Sequence, residues 1–153
     1  MTKWMTLAAL CVGLTATAWA EDKKEEAKFD PQAVVGKWEY ESGMKQGEEV
    51  GEDRLKGTIT ITEETITLEG EGTAGKFVMK YKLDGDKWPA KFEMEMTESP
   101  FGAGAKAKGL MEVKDETLSI AYIMDEGDGD YPEKVESTKD NKAHLFVLKK
   151  KAE

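Results

Sequence analysis

Apolar and polar residues alternate with a period of two along most of the chain from Gly36 onward. Gly, Asp, Glu or Pro separates these short runs from one another. Alternation of this kind is typical of β-strands that turn one face to a core and the other to water. It predicts eight strands, close to residues 36–41, 58–62, 65–69, 76–83, 91–96, 108–113, 117–124 and 143–149. The pattern therefore indicates an all-β fold.

Short turn sequences connect most of these strands. Glu63-Glu64 has the length of a two-residue hairpin loop, and Asp84-Gly85-Asp86 is a stronger turn signal. Longer breaks occur at 99–105, which is rich in Gly and Ala, and at the acidic segment 125–130. Because short links favour strands that follow one another around a closed sheet, we expect an antiparallel eight-stranded up-and-down barrel. A two-layer β-sandwich is the alternative.

The N-terminus has the three parts of a cleavable signal peptide. Lys3 supplies the positive charge, residues 7–14 form a short apolar run, and Ala18-Trp19-Ala20 fits a cleavage site. We therefore expect residues 1–20 to be removed and the mature protein to be exported, to the periplasm or the extracellular space. The single cysteine, Cys11, would leave with this segment, so the mature chain would have no disulfide.

The rest of the chain is predicted to be one domain preceded by a short leader. Residues 21–28 are almost entirely charged, which predicts disorder. Asp30 can cap a single helical turn that begins at Pro31, just before the first strand. We expect residues 29–153 to form the barrel domain, a length that suits a single core.

The overall charge narrows the range of partners. The chain carries 22 basic and 31 acidic residues, a formal net charge of −9, and loss of Lys3 would take it to −10. A negative field repels phosphate backbones and anionic lipid. Nucleic acid is therefore not expected as a partner, and neither is membrane insertion after cleavage.

The start of the first predicted strand resembles that of lipocalins. Gly36-Lys37-Trp38 matches the Gly-x-Trp of that family, in which the Trp plugs one end of an eight-stranded barrel. Over residues 34–150 the chain is similar to an uncharacterised lipocalin-like domain family that recurs in secreted planctomycete proteins. The residues that carry this likeness are 36–39, 58–69, 81–84, 109–113, 118–122 and 145–149. The resemblance implies a lipocalin-like fold and assigns no catalytic residue.

The polar residues form no recognisable catalytic or metal-binding motif. His144 is the single histidine, and one histidine cannot supply the ligand cluster of a zinc or copper site. Four carboxylates at 125–130 suit calcium in their chemistry, but their spacing is not that of an EF-hand, so a solvated acidic turn is expected. Glu39, Glu93 and Glu95 alternate to the outer face, where a carboxyl lacks the raised pKa of a general acid. We therefore predict no enzyme activity, no metal and no cofactor.

The methionines suggest what the barrel interior holds. Those at positions 79, 94, 96, 111 and 124 fall on predicted inward positions. In an eight-stranded barrel, side chains either fill the interior or leave room for one small ligand, and Met adapts to irregular apolar shapes. The first hypothesis is a binding module for an apolar or lipid-like small molecule. Its predicted ligand-binding residues are Trp38, Phe77, Tyr81, Phe92, Met94, Met96, Tyr122 and Met124.

The alternative hypothesis is a non-catalytic structural or protein-interaction domain with a solid core. A packed interior is the ordinary state of a protein core, so the methionines alone do not distinguish the two hypotheses. The internal volume of the barrel does distinguish them. A sealed interior no larger than a few water molecules would exclude the binding module.

Overall fold

The computed structural model describes residues 29–125 and 129–152. Within them the chain forms a closed antiparallel β-barrel of eight strands, with one short extra strand. The strands are β1 (Gly36–Lys45), β2 (Glu48–Glu49), β3 (Thr58–Ile61), β4 (Thr65–Glu69), β5 (Phe77–Asp84), β6 (Ala90–Glu98), β7 (Lys106–Lys114), β8 (Thr117–Asp125) and β9 (His144–Lys150). Two 3-10 turns, Pro31–Val34 and Glu52–Arg54, precede β1 and follow β2. None of the helical segments in these residues has the length and apolar character needed to cross a membrane.

The barrel closes because β1 pairs with two strands of the main sheet. It runs antiparallel to β3 on one side and to β9 on the other, while each strand from β3 to β9 pairs with the next along the chain. Pairing of the first strand with the last removes the open sheet edges that a two-layer sandwich would keep. The predicted all-β, up-and-down barrel is confirmed.

The first strand, β1, is longer than predicted, and its end pairs with the short extra strand β2. β1 continues to Lys45 and turns through Gln46 and Gly47 into β2. Both turn residues have positive φ, 51° and 80°, as the two central residues of a type I′ hairpin turn do. Gln is not a usual residue in such a turn, which is why the sequence pattern does not predict this hairpin.

One end of the barrel is closed by Trp38 and the 3-10 turn that precedes β1. Trp38 is 1% exposed, and its indole Nε1 donates a hydrogen bond to the Val34 carbonyl oxygen at 2.9 Å. Asp30 caps the turn as predicted, its Oδ1 accepting from the Gln32 backbone N–H at 2.9 Å. A buried Trp needs a partner for its N–H, and here the turn supplies it. The predicted inward position of Trp38 is confirmed.

Residues 129–143 belong to the connection from β8 to β9 and are called the strap here. They lie on the outer surface of the barrel. The Tyr131 hydroxyl donates to the Glu93 carboxylate on β6 at 2.7 Å. Near the other end of the strap, the Gly47 backbone N–H in the β1–β2 turn donates to Ser137 Oγ at 3.0 Å, and Ser137 Oγ donates to the Ala143 carbonyl oxygen at 2.6 Å. These contacts hold both ends of the strap, so the connection before β9 lies outside the barrel and leaves its interior free.

We expect Gly109→Ala to destabilise the barrel strongly. A Cβ at Gly109 would meet the Ala121 carbonyl oxygen and would lie 2.5 Å from a ring carbon of Phe92, which is fully buried. Overpacking of this kind costs about 1 to 3 kcal/mol. The matched control is Gly51→Ala, because a Cβ there meets no atom within 4 Å. Its cost should stay below about 0.5 kcal/mol.

Urea unfolding of the two variants and the parent protein measures both costs. The midpoint should fall for Gly109→Ala and stay close to that of the parent for Gly51→Ala, with an unchanged slope. Equal midpoints for the two variants would contradict the packing described around Gly109.

Candidate functional site

The end of the barrel away from Trp38 opens into a cavity of about 580 Å³. Small-molecule sites in proteins commonly measure about 300 to 1,000 Å³. The wall is largely apolar. It includes Ile59, Ile66, Leu68, Phe77, Met79, Met94, Met96, Ile120, Met124 and Phe146. The barrel is therefore solid at one end and hollow at the other.

Small and slender inward side chains leave this space open. Ala107 lines the cavity, and its partners across the two neighbouring strands are Met94 and Met124, which are unbranched and flexible. On β1, a Cβ added to Gly43 would lie 2.9 Å from the ring of Phe146, so the absence of a side chain lets that ring take its place. At the closed end the interior is instead filled by large buried side chains such as Trp38.

A β-bulge in β1 keeps the cavity residues of that strand facing inward. Tyr40 pairs with Leu148, but the next pair is Ser42 with Val147, so one extra residue lies between them on β1. An extra residue shifts the alternation of side chains by one position. As a result Tyr40 and Gly43 both lie on the inner face, although they are an odd number of residues apart.

Five of the predicted ligand-binding residues line the cavity, and three do not. Phe77, Met94, Met96, Tyr122 and Met124 are on its wall. Trp38, Tyr81 and Phe92 belong to the buried core instead, on the same inner face but nearer the closed end. The Tyr81 hydroxyl, for example, donates to the Thr62 carbonyl oxygen at 2.7 Å, at the β3–β4 turn. Alternation indicates which face a residue occupies but not its height along the barrel axis, so the sequence could not separate the two groups.

Other cavity residues lie outside the predicted set. Tyr40 and Phe146 belong to β1 and β9, so their proximity depends on the closure of the barrel. Their inward phase in the alternation is the signal that could have identified them. Arg54 and Phe101 lie in a 3-10 turn and in the 99–105 loop, where the sequence has no periodicity to read.

Three aromatic rings form one side of the cavity. Phe146 lies between two tyrosines, with ring centroids 5.6 Å from Tyr40 and 6.2 Å from Tyr122. Burial raises the pKa of Tyr122 to about 12. Burial, and then the proximity of Tyr122, also raises the pKa of Tyr40 above its ordinary value of 10.0. Both hydroxyls are therefore neutral at physiological pH, and neither is hydrogen-bonded to another described residue.

The mouth of the cavity exposes two large apolar side chains. Phe101 is 81% exposed and Met124 is 45% exposed. Phe101 extends from the 99–105 loop toward Phe77, with the two ring centroids 6.2 Å apart. Pro100 in the same loop packs against Gly75, where an added Cβ would clash with its ring. The loop is thus seated on the β4–β5 connection at the edge of the opening.

The charged side chains that the described residues place on the cavity wall are basic. Lys45, Arg54 and Lys106 line the cavity, and no Asp, Glu, His, Cys or Ser does so among the described residues. This is opposite in sign to the chain as a whole, whose net charge is −9.

His144 lies beside the cavity wall, and no metal-binding cluster forms around it among the residues that the structure describes. Its ring is 5.0 Å from that of Tyr122, and its Nδ1 is buried without a hydrogen-bond partner. Burial, and then the nearby Lys45, lowers the pKa of His144, so the ring is neutral at physiological pH. The described residues contain no group of three or more His, Cys, Asp or Glu side chains placed to hold a metal ion.

The acidic segment 125–130 is described in part, because residues 126–128 lie outside the described residues. Asp125 Oδ2 lies 3.5 Å from Lys108 Nζ, and its Oδ1 accepts from the Gly129 backbone N–H at 3.4 Å. The expected lack of a tight metal site there stays a prediction.

The three glutamates predicted to face outward are exposed. Glu93 accepts from Tyr131 on the strap, and a Glu39 carboxylate oxygen lies 3.3 Å from Lys151 Nζ. Glu95 lies on the same face of β6 as Glu93. None of the three is on the cavity wall.

Comparison of the chain with protein-family models, with curated proteins and with solved structures finds no match. The functional assignment therefore rests on the geometry and chemistry of the cavity.

We expect the tyrosines of the native protein to ionise at a higher pH than those of the unfolded chain. At about pH 11 the unfolded chain should be mostly tyrosinate, whereas native Tyr40 and Tyr122 should stay neutral. A folded-state pKa above the unfolded value contributes stability that is complete below about pH 10 and is lost as the pH rises through about 12. Tyrosinate absorbance, recorded with and without urea, measures the difference.

Glu93→Gln provides the internal control for this titration. The hydrogen bond to Glu93 is the main cause that raises the pKa of Tyr131 to about 12. Removal of this hydrogen bond should therefore return the pKa of Tyr131 toward its ordinary value, while Tyr40 and Tyr122 still ionise at a higher pH than in the unfolded chain. Superimposable curves for native and unfolded protein would mean that the cavity tyrosines are open to water.

Proposed function

We propose that this protein is an exported, non-catalytic module that binds an apolar or lipid-like small molecule in the open end of its barrel. The observation that carries the proposal is the cavity of about 580 Å³, with its apolar wall and its opening at one end of the barrel. A preformed apolar cavity with a few polar groups is the usual form of a small-molecule site. Export rests on the signal-peptide pattern of residues 1–20.

The composition of the wall favours a flexible apolar ligand. Met79, Met94, Met96 and Met124 surround the space with side chains that can adjust to irregular shapes. Burial of ligand surface against such a wall contributes about 25 cal/mol per Å² of apolar area, before the cost of association. The hollow interior is difficult to reconcile with the alternative of a solid-core interaction domain.

The chemistry of the wall supports binding without catalysis. Covalent or acid-base catalysis needs a nucleophile or a titratable group on the cavity wall with its pKa brought near neutrality. In the described part of the chain, the titratable side chains of the wall are Lys45, Arg54, Lys106 and two tyrosines whose pKa is raised further from neutrality. The proposal includes the resemblance to secreted lipocalin-like proteins that the sequence indicates at residues 36–39 and in the later strands.

A fluorescent apolar probe tests the proposal. N-phenyl-1-naphthylamine is uncharged and fluoresces more strongly in an apolar site. We expect the mature protein to bind it at one site, with a Kd on the order of 10 µM or tighter. Met94→Trp should weaken binding about tenfold or more, because a bulky ring would occupy the cavity.

Glu95→Trp is the matched control, since it places the same ring on the neighbouring residue of β6 but on the outer face. It should leave probe affinity unchanged, and circular dichroism should show that both variants are folded. Failure of the parent protein to bind any apolar probe would refute the binding module and favour the solid-core alternative.

A further inference from the structure

Three basic side chains lie at the open end of the barrel. Lys45 ends β1, Lys106 begins β7, and Arg54 lies in the 3-10 turn that follows β2. The ion pairs in the described part of the chain join Lys56 to Asp53, Lys108 to Asp125 and Lys151 to Glu39. Lys45, Arg54 and Lys106 take part in none of them.

Two of these cations are better placed than the third to meet a ligand. The partners of Lys106 across the neighbouring strands are Glu95 and Asp125, so carboxylates already flank it. Lys45 pairs in register with His144 on one side and with Glu48 on the other, and it forms no ion pair with Glu48. Arg54 is exposed, and its guanidinium offers a planar set of donors that suits a carboxylate or phosphate.

The tyrosine hydroxyls add donors on the wall itself. Tyr122 pairs in register with His144, which pairs with Lys45, so hydroxyl, imidazole and ammonium lie on three adjacent strands of the inner face. The hydroxyls of Tyr40 and Tyr122 have no hydrogen-bond partner among the described residues. Within residues 29–125 and 129–152, the cavity is bordered by donors without a hydrogen-bond or ion-pair partner and has no acid on its wall, which makes it complementary to a molecule with an apolar body and an anionic end.

We propose that the ligand is an amphiphile with a single anionic head group, held with its apolar part inside the barrel and its head between Lys45 and Arg54 at the mouth. This inference rests on the proposed binding function and goes beyond it by naming the head group and its orientation. Carboxylate and phosphate monoester share the chemistry that these cations recognise. The negative field of the whole chain opposes an anion, so selectivity for one must come from these local charges.

Competition with the fluorescent probe tests the head group. Dodecanoate, dodecan-1-ol and dodecylamine have the same apolar chain and differ in the charge of the head. We expect dodecanoate to displace the probe at a concentration about tenfold lower than dodecan-1-ol, and added salt to narrow that gap. Dodecyl phosphate distinguishes the two anionic head groups. If it competes better than dodecanoate, the anion-binding site is supported and the natural head group is a phosphate.

Charge-removing variants locate the head group. Arg54→Gln and Lys45→Gln should each raise the dodecanoate concentration needed for displacement about three- to tenfold more than they raise the dodecan-1-ol concentration measured with the same variant. Lys82→Gln is the matched control, because it removes the same charge from an exposed outward position on β5 and should change nothing.

The two proposals fail in different ways. If the probe binds but dodecanoate and dodecan-1-ol compete equally, or dodecylamine competes best, the proposed anion-binding site is refuted. Binding of an apolar ligand in the cavity is then still supported. An unchanged dodecanoate affinity in both Arg54→Gln and Lys45→Gln would also overturn it. If the probe does not bind, the binding function itself fails.

Discussion

The pairing of β1 with β9 is the constraint on which the other features depend. It joins the ends of a sheet whose strands otherwise pair with their sequence neighbours, so each strand of the main sheet has a partner on both sides. It also brings Tyr40 and Phe146 to within 5.6 Å and places Lys45 beside His144. The aromatic side of the cavity and part of its basic rim therefore exist only in the closed barrel.

The two ends of the barrel use the same alternating pattern for different purposes. At the closed end, Trp38 and Phe92 fill the interior, and the hydrogen bond from Trp38 to Val34 ties the preceding 3-10 turn across the opening. Near the other end, Ala107 and the methionines are too small or too flexible to fill the same cross-section. This division gives the protein a rigid base that stabilises the fold and an adaptable space that can accept a ligand.

The sequence predicts the barrel well because each strand has its own alternating pattern, and the helical turn because Asp30 and Pro31 carry the signals of a helix start. It predicts the cavity only in part. Phe77 and Tyr81 have the same phase on β5, yet one lines the cavity and the other belongs to the closed end. Their height follows from strand stagger, which no local pattern encodes, and Arg54 and Phe101 lie in connections without periodicity.

The barrel is hollow beside Met79, Met94, Met96 and Met124 and packed around Met111, which is fully buried. Methyl NMR of methionine-labelled protein, with and without N-phenyl-1-naphthylamine, tests it directly, because each methionine reports from a known height in the barrel. We expect the methyl resonances of the four cavity methionines to shift, while those of Met111 and of Met44, which lies outside the cavity, stay in place. Equal shifts at Met111 or Met44, or no shift at any methionine in the presence of bound probe, would contradict it.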